Sequence, residues 1–278
     1  MSKKLVTMCF AWLLVQTAPL SAGSSEPASP PASPWVSHMA VQARLISSQS
    51  HLGDGALTLG LHLEMEDGWK TYWRTPGDSG LPPQFSWSES ENLAFLRVDW
   101  PAPTRFDDPG DATIGYKHEV VLPIAVKAKN PAEPLKLRLA LDYAVCEEVC
   151  VPVHADLALT IDPGTAERTV YAKQIEAFAG KVPTQVRDRA NIWLSAELPG
   201  EDDYRTLHVD WRAPVELKEG AQMVVEGPRD VFFGVPERRG NSFLLPAKGQ
   251  GMSTLKGQKI TVTLINGDQA LEQTSGVK

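Results

Sequence analysis

The feature that most constrains the fold is a two-residue alternation of apolar and polar side chains in short runs. Leu57, Leu59, Leu61 and Leu63 alternate with other residues over a run that ends before a Gly-containing turn. Similar runs follow, each bounded by Gly, Pro or Asn: 120–126, 135–141 and 151–161. A period of two places alternate side chains on opposite faces of a strand. Regularly spaced strands without helices between them predict a β-sandwich for residues 38–162.

A second series of short β-type runs begins after Pro183 and contains no cysteine. Its candidate strands are 192–194, 207–211, 223–225, 231–233, 243–245 and 260–265. This pattern of short strands predicts a second, smaller β-sandwich domain over 183–278. We expect it to contribute to docking or stability and to be dispensable for chemistry at the cysteines.

Between the two β-rich halves, one segment has helical spacing. Tyr171, Ile175 and Phe178 repeat at intervals of four and three residues, and Thr165 is a candidate N-cap. The pattern predicts one helix over 166–179, within a helical linker whose predicted bounds are 163–182. The overall fold class is therefore all-β, with two sandwiches joined by a linking helix.

The N-terminus has the three-part layout of a secretory signal. Lys3 and Lys4 precede an apolar run at 5–15, and small residues at 21–23 offer a cleavage site. We expect residues 1–22 to be a signal peptide, which indicates export to the periplasm, and 23–37 to be a Ser/Pro/Ala-rich tether. No later apolar stretch reaches the length of a membrane helix, so no membrane span is expected in the mature chain.

Charge excludes two classes of partner. The formal net charge is −7, without basic runs. Such a chain is a poor candidate for binding nucleic acid or an anionic membrane surface.

The cysteines are the strongest chemical signal. Of three in the chain, Cys9 lies in the predicted signal, which leaves Cys146 and Cys150 four positions apart. In an oxidising compartment we expect these two to pair. They flank a tight connection between two predicted strands, where another protein could reach the disulfide.

Spacing alone leaves three interpretations open. The first is a structural disulfide. Closing so short a loop would stabilise the folded chain by only about 2 kcal/mol, against nearly 5 kcal/mol for a loop of about 100 residues. Redox exchange is the second interpretation. The third is a copper or zinc site in which His154 joins the reduced cysteines, although the spacing matches no standard metal motif. We expect no metal and no cofactor.

A second unusual segment holds three aromatic residues before a Gly/Pro-rich turn. Trp69 and Trp73 are predicted to lie in the core, whereas Tyr72 and Arg74 are placed near a site.

Four motifs in this order carry a resemblance to a known family. They are 67–83, Trp100–Pro103, Gly115–Ile124 and Asp142–Pro152 with its two cysteines. Over about 38–161, the sequence resembles the N-terminal periplasmic domain of the DsbD thiol:disulfide interchange proteins. It is most similar to the ScsB-like branch, which is associated with copper tolerance.

The resemblance implies an immunoglobulin-like sandwich with a redox-active cysteine pair at one end. A loop would cap the pair, here within 103–116. An aromatic residue, Tyr72, would lie beside it. Cys150 would be the partner-facing sulfur and Cys146 the resolving one. The candidate cap residues over the sulfurs are Phe106 and Ile114, with Tyr116 as a further candidate.

The same resemblance implies the function and the partners. The chain would pass electrons from a membrane or thioredoxin-like donor to periplasmic thioredoxin-fold acceptors, as a component of a protein-disulfide reductase. Because transmembrane helices and a Cys-x-x-Cys domain are absent from the sequence, we expect a separate membrane electron donor. Glu147 and Glu148 should raise the pKa of the thiols by like charge, which suits an electron donor.

An alternative function belongs to another class. The chain could be a non-enzymatic periplasmic binding protein, acting in partner docking or copper tolerance, with a structural disulfide.

Overall fold

The computed structural model describes residues 31–77, 80–108, 111–186, 192–197, 204–211, 216–249, 251 and 255–277. The predicted signal peptide lies outside the described residues. No helix among the described residues is long and apolar enough to cross a membrane.

Two sheets form the first sandwich. Sheet 1 contains β1 (Val36–His38), β2 (Val41–Ser47), β3 (Ala56–Met65), β6 (Leu93–Val98) and β9 (Glu119–Ala128), in the order β1-β2-β3-β9-β6. Sheet 2 contains β4 (Lys70–Gly77), β5 (Gln84–Ser86), β7 (Thr104–Asp108), β8 (Asp111–Lys117), β10 (Leu135–Cys146) and β11 (Cys150–Ile161), in the order β11-β10-β4-β8-β7, with β5 paired to β10.

The core of the first sandwich lies between these sheets. Leu59, Leu61 and Leu63 of β3 all lie in it, and His62 between them is also buried, because sheet 1 is covered on its outer face as well. Trp73 is fully buried in the same core, as its sequence context predicted. Burying each such side chain stabilises the fold by about 1.5–3 kcal/mol.

Two further sheets form the second sandwich. Sheet 3 contains β12 (Thr184–Gln185), β15 (Gln222–Glu226), β19 (Lys259–Asn266) and β20 (Gln269–Gly276), in the order β12-β20-β19-β15. Sheet 4 contains β13 (Ile192–Glu197), β14 (Tyr204–Trp211), β16 (Phe232–Phe233), β17 (Glu237–Arg239) and β18 (Ser242–Lys248), in the order β13-β14-β18-β16, with β17 paired to β18. A separate core, which includes Phe243, Leu245 and Val262, fills this sandwich. The predicted fold class is therefore confirmed.

The linking helix is shorter than predicted. Helix α1 spans Ala172–Ala179, and the expected first turns at 166–171 are not helical. The segment instead pairs with the first sandwich, because Ser50 N donates to Glu167 O and Thr169 N donates to Ser48 O. These contacts satisfy the backbone groups that a helix would have used. Ile175 anchors the remaining helix on the outer face of sheet 1.

Candidate functional site

The two cysteines close the longest hairpin of the first sandwich. Strands β10 and β11 pair in unbroken register from Leu135–Ile161 to Cys146–Cys150. The last pair is joined by a disulfide, with the two Cα atoms 4.1 Å apart. Only Glu147, Glu148 and Val149 remain to form the turn. The disulfide therefore lies at the tip of a hairpin, at one end of sheet 2.

The two sulfur-bearing residues differ sharply in exposure. Cys146 is 5% exposed, whereas Cys150 is exposed. The difference follows from strand order, because β10 lies inside sheet 2 and pairs Cys146 with Lys70 of β4, whereas β11 is an edge strand. An incoming thiol therefore reaches Cys150 more easily than Cys146.

The alternation of buried and exposed side chains along β10 ends near the disulfide, where consecutive residues are all buried. Leu139, Leu141 and Tyr143 face the core, while Asp142 between them is exposed. Ala144 and Cys146 lie on the same outer face as Asp142 but are buried, since they form a small cluster with Tyr72. A second layer therefore covers sheet 2 beside the disulfide.

Tyr72 is the centre of that layer. It is 1% exposed, and its hydroxyl lies 2.8 Å from Cys150 Sγ, where either atom can donate. The structure thus places Tyr72 beside the pair, at the position that the resemblance assigned to it.

Gly80 covers the ring of Tyr72, and sequence reasoning missed it. A Cβ atom at position 80 would lie 2.6 Å from Tyr72 Cδ1 and 2.8 Å from Cε1, closer than van der Waals contact allows. Only glycine lets the backbone of this segment rest on the ring. A glycine in a Gly/Pro-rich stretch ordinarily indicates a turn, so the sequence held no separate signal for this packing.

The predicted cap region forms the hairpin β7–β8 rather than a loop without regular structure. Phe106 pairs with Thr113 in this hairpin, and Lys70 Nζ donates to Thr113 Oγ1 at 3.0 Å. The ammonium groups of Lys70 and Lys117 lie 5.4 and 4.7 Å from the centre of the Phe106 ring. Phe106 therefore lies on the sheet face that carries Cys146.

Ile114 and Tyr116 lie on the opposite face of the same hairpin. The Tyr116 hydroxyl donates to Pro101 O at 2.7 Å, and burial raises the pKa of this phenol well above its ordinary value. Ile114 packs against the core of the first sandwich. The structure does not bring either residue to the disulfide, because neighbouring residues on a strand face opposite sides of the sheet.

Exposed acidic groups lie in the turn next to Cys150 and farther along the same hairpin. Glu147 and Glu148 project from the turn, and the carboxylate of Glu147 occupies space next to Gly68. His154, four positions beyond Cys150, lies between Asp142 and Asp156, at 2.7 and 3.2 Å. Hydrogen bonds to these carboxylates raise the pKa of His154.

Two sets of residues contain side chains of the types that bind metals. The two cysteines form a disulfide, and the ring nitrogens of His154 contact Asp142 and Asp156. His62 lies 3.2 Å from Glu64 and 2.9 Å from Glu119 on sheet 1. However, Arg44 Nε donates to His62 Nδ1 at 3.3 Å, so the ring proton is on Nε2. That nitrogen therefore has no lone pair to offer a metal between the two carboxylates. Burial lowers the pKa of His62 and favours this neutral form.

Arg74 connects the strand of Tyr72 to the second sandwich. Its guanidinium donates to both carboxylate oxygens of Glu226, with the shortest bond 2.6 Å, and also to Glu272. Thr75 donates to Glu226 as well, at 2.8 Å. Arg74 is thus not at the disulfide but two residues from Tyr72, in a network between the two sandwiches.

Comparison with known proteins places this geometry in context. Residues 42–162 match the sequence model of the family described as thiol:disulfide interchange protein DsbD, N-terminal. The crystal structure of the N-terminal periplasmic domain of ScsB from Proteus mirabilis has a TM-score of 0.69 and 21% sequence identity. The match covers 90% of this chain and 99% of that chain.

Two other structures give much lower scores. A tandem pair of immunoglobulin domains from titin has a TM-score of 0.19 at 10% identity, covering 86% of this chain and 98% of that one. A marsupial T cell receptor has a TM-score of 0.16 at 11% identity, with the same coverage. No curated protein sequence matches the chain. The similarity to the ScsB domain shows that this chain shares its fold with a solved structure.

Proposed function

We propose, from the premise that residues 42–162 belong to the family of the DsbD N-terminal domain, that this chain is a periplasmic thiol–disulfide exchange module. The observation that carries the proposal is the disulfide at the tip of the β10–β11 hairpin, with Cys150 exposed and Cys146 buried. An exchange protein needs one accessible sulfur for the partner and one sheltered sulfur that resolves the complex.

The reduced pair acts in two steps. The thiolate of Cys150 attacks a sulfur of the partner's disulfide, an S–S bond forms between them, and the partner's second sulfur leaves as a thiolate. Cys146 then loses its proton and attacks Cys150, which re-forms the Cys146–Cys150 disulfide and releases the partner as a dithiol. Two electrons pass from this chain to the partner, and the reverse sequence recharges the pair from a donor.

Tyr72 acts on the attacking sulfur. Its hydroxyl lies within hydrogen-bond distance of Cys150 Sγ, so it can donate to the thiolate once the disulfide is reduced. It also covers one side of the sulfur, which restricts the direction of approach. Donors and acceptors of the thioredoxin fold, and a separate membrane donor, are the partners that the family suggests.

A redox titration tests the proposal against the structural-disulfide alternative. The chain is equilibrated in dithiothreitol buffers of graded potential, and the oxidised fraction is measured by alkylation and mass spectrometry. An exchange protein should titrate near the range of thioredoxin and disulfide isomerase, roughly −180 to −270 mV. A midpoint below about −300 mV would favour a structural disulfide, and hence a binding protein.

A further inference from the structure

The charge around Cys150 is one-sided. The three turn residues between the cysteines are Glu147, Glu148 and Val149, and all three are exposed, Val149 at 72%. These two carboxylates and one apolar side chain belong to the turn that ends at Cys150. The turn has no positive side chain to balance them.

Three cationic side chains of sheet 2 contact groups other than the turn carboxylates. Lys70 is 5% exposed, and its ammonium donates to Thr113 beneath the Phe106 ring. Two others are similarly engaged, since Lys117 lies over the same ring and Arg74 binds the carboxylates of the second sandwich. Glu147 and Glu148 are the charged residues next to Cys150 in the turn and both are exposed, so their carboxylates make the potential at the exposed sulfur more negative.

We propose that Cys150 exchanges preferentially with disulfides set in positively charged surroundings. Its natural partner would be a thioredoxin-fold protein with Lys or Arg side chains around its active cysteine and an apolar contact for Val149. This inference rests on the proposed function and adds the partner's surface chemistry. Opposite charges would raise the rate of encounter, and like charges would suppress wrong partners.

Two small disulfides isolate the effect of charge. Cystamine carries two ammonium groups, and 3,3′-dithiodipropionate carries two carboxylates. Each oxidises the reduced pair by the same steps: Cys150 attacks and one probe thiol leaves, then Cys146 attacks Cys150 and releases the second. The full chain carries Cys9→Ser, so that only the pair reacts. The quantity compared is the ratio of the cystamine rate to the dithiodipropionate rate.

A matched control removes the same amount of charge elsewhere. In E147Q/E148Q, both turn carboxylates become amides. In E89Q/E133Q, two exposed carboxylates near the far end of β10 become amides instead. The two double variants therefore change the net charge by the same amount. Since any change in thiolate fraction affects both probes alike, it cancels in the rate ratio.

The expected result is a rate ratio that falls about fivefold in E147Q/E148Q and stays unchanged in E89Q/E133Q. In the wild type it should also fall between about 20 mM and about 500 mM salt, over which the Debye length shrinks from roughly 20 to 4 Å.

Three outcomes would overturn the inference or its premise. If both probes oxidise the pair but E147Q/E148Q keeps the wild-type ratio, the turn does not select by charge, although exchange stands. An equal fall in both double variants would assign selectivity to net charge and not to the turn. If neither probe oxidises the reduced wild-type pair, the proposed function itself fails.

Discussion

At the scale of single residues, the site depends on an unequal pair of sulfurs. The exposed Cys150 contacts the Tyr72 hydroxyl, while Cys146 is enclosed by Tyr72 and Ala144. Tyr72 in turn is held by Gly80, whose missing side chain leaves room for the aromatic ring. Packing therefore gives two chemically identical sulfurs different surroundings.

This inequality predicts different behaviour for the two single-cysteine variants. In Cys146→Ser the remaining thiol is exposed, so it should react with an aromatic disulfide reagent about tenfold faster than the thiol left in Cys150→Ser, because exchange depends on access. Both variants carry Cys9→Ser, and the rates are read from reagent colour. Cys146→Ser should also accumulate mixed disulfides with partners. Equal rates, or a faster Cys150→Ser, would contradict the assignment of Cys150 as the partner-facing sulfur.

At the scale of elements, the two faces of the hairpin β7–β8 have different surroundings. Phe106 lies on the face that carries Cys146, with two ammonium groups near its ring. Ile114 and Tyr116 lie on the core face and hold the hairpin to the sandwich. The hairpin is anchored through its core face, and whether Phe106 shields the disulfide on the other face stays a prediction.

Alanine variants of the two faces should consequently differ. Phe106→Ala should speed reduction of the disulfide by dithiothreitol by about threefold or more, because exchange depends on access, with little change in redox potential. Ile114→Ala, the control, should leave that rate unchanged and lower the free energy of unfolding by about 2 kcal/mol. Reduction is followed by quenched alkylation, and unfolding by urea titration. If Phe106→Ala is reduced at the wild-type rate while still folded, Tyr72 and the Gly80 segment would be the remaining shield.

At the scale of the whole molecule, the second sandwich holds the strand that carries Tyr72. Glu226 and Glu272 bind Arg74, and their side chains are only 22% and 10% exposed. Val224 of the second sandwich also packs into the core cluster of the first. Whether the chain beyond Pro183 is dispensable for exchange chemistry stays a prediction, but its contacts reach within two residues of the site.

Removing the guanidinium should therefore destabilise the molecule. Arg74→Met removes the guanidinium from two largely buried carboxylates and leaves them only neutral donors such as Thr75 and Thr263, which typically costs about 3–5 kcal/mol. Arg97→Met, which removes an exposed pair with Asp99, should cost less than about 1 kcal/mol. Urea unfolding measures both. Similar losses in the two variants would show that the Arg74 network does not bind the sandwiches together.

Much of this organisation could be predicted from short stretches of sequence. The leucine alternation of β3, the burial of Trp73 and the all-β fold class were predicted correctly, because strand periodicity is a local property. The family resemblance is also confirmed over 42–162, since its motifs are contiguous runs of residues. The helix at 166–179 was predicted too long, because its first turns found partners on the edge of the first sandwich instead.

The features that only the tertiary structure decided depend on contacts between residues far apart in the chain. The sequence determined that Cys146 and Cys150 could pair, because residues four positions apart lie opposite each other when a tight hairpin turn separates them. It could not decide which sulfur is exposed, because that follows from β11 being an edge strand. Nor could it distinguish Phe106 from Ile114 as a cap residue, since a register shift of one residue exchanges the two faces of a strand. Register is set by pairing and packing across the sheet, and that information exists only once the chain is folded.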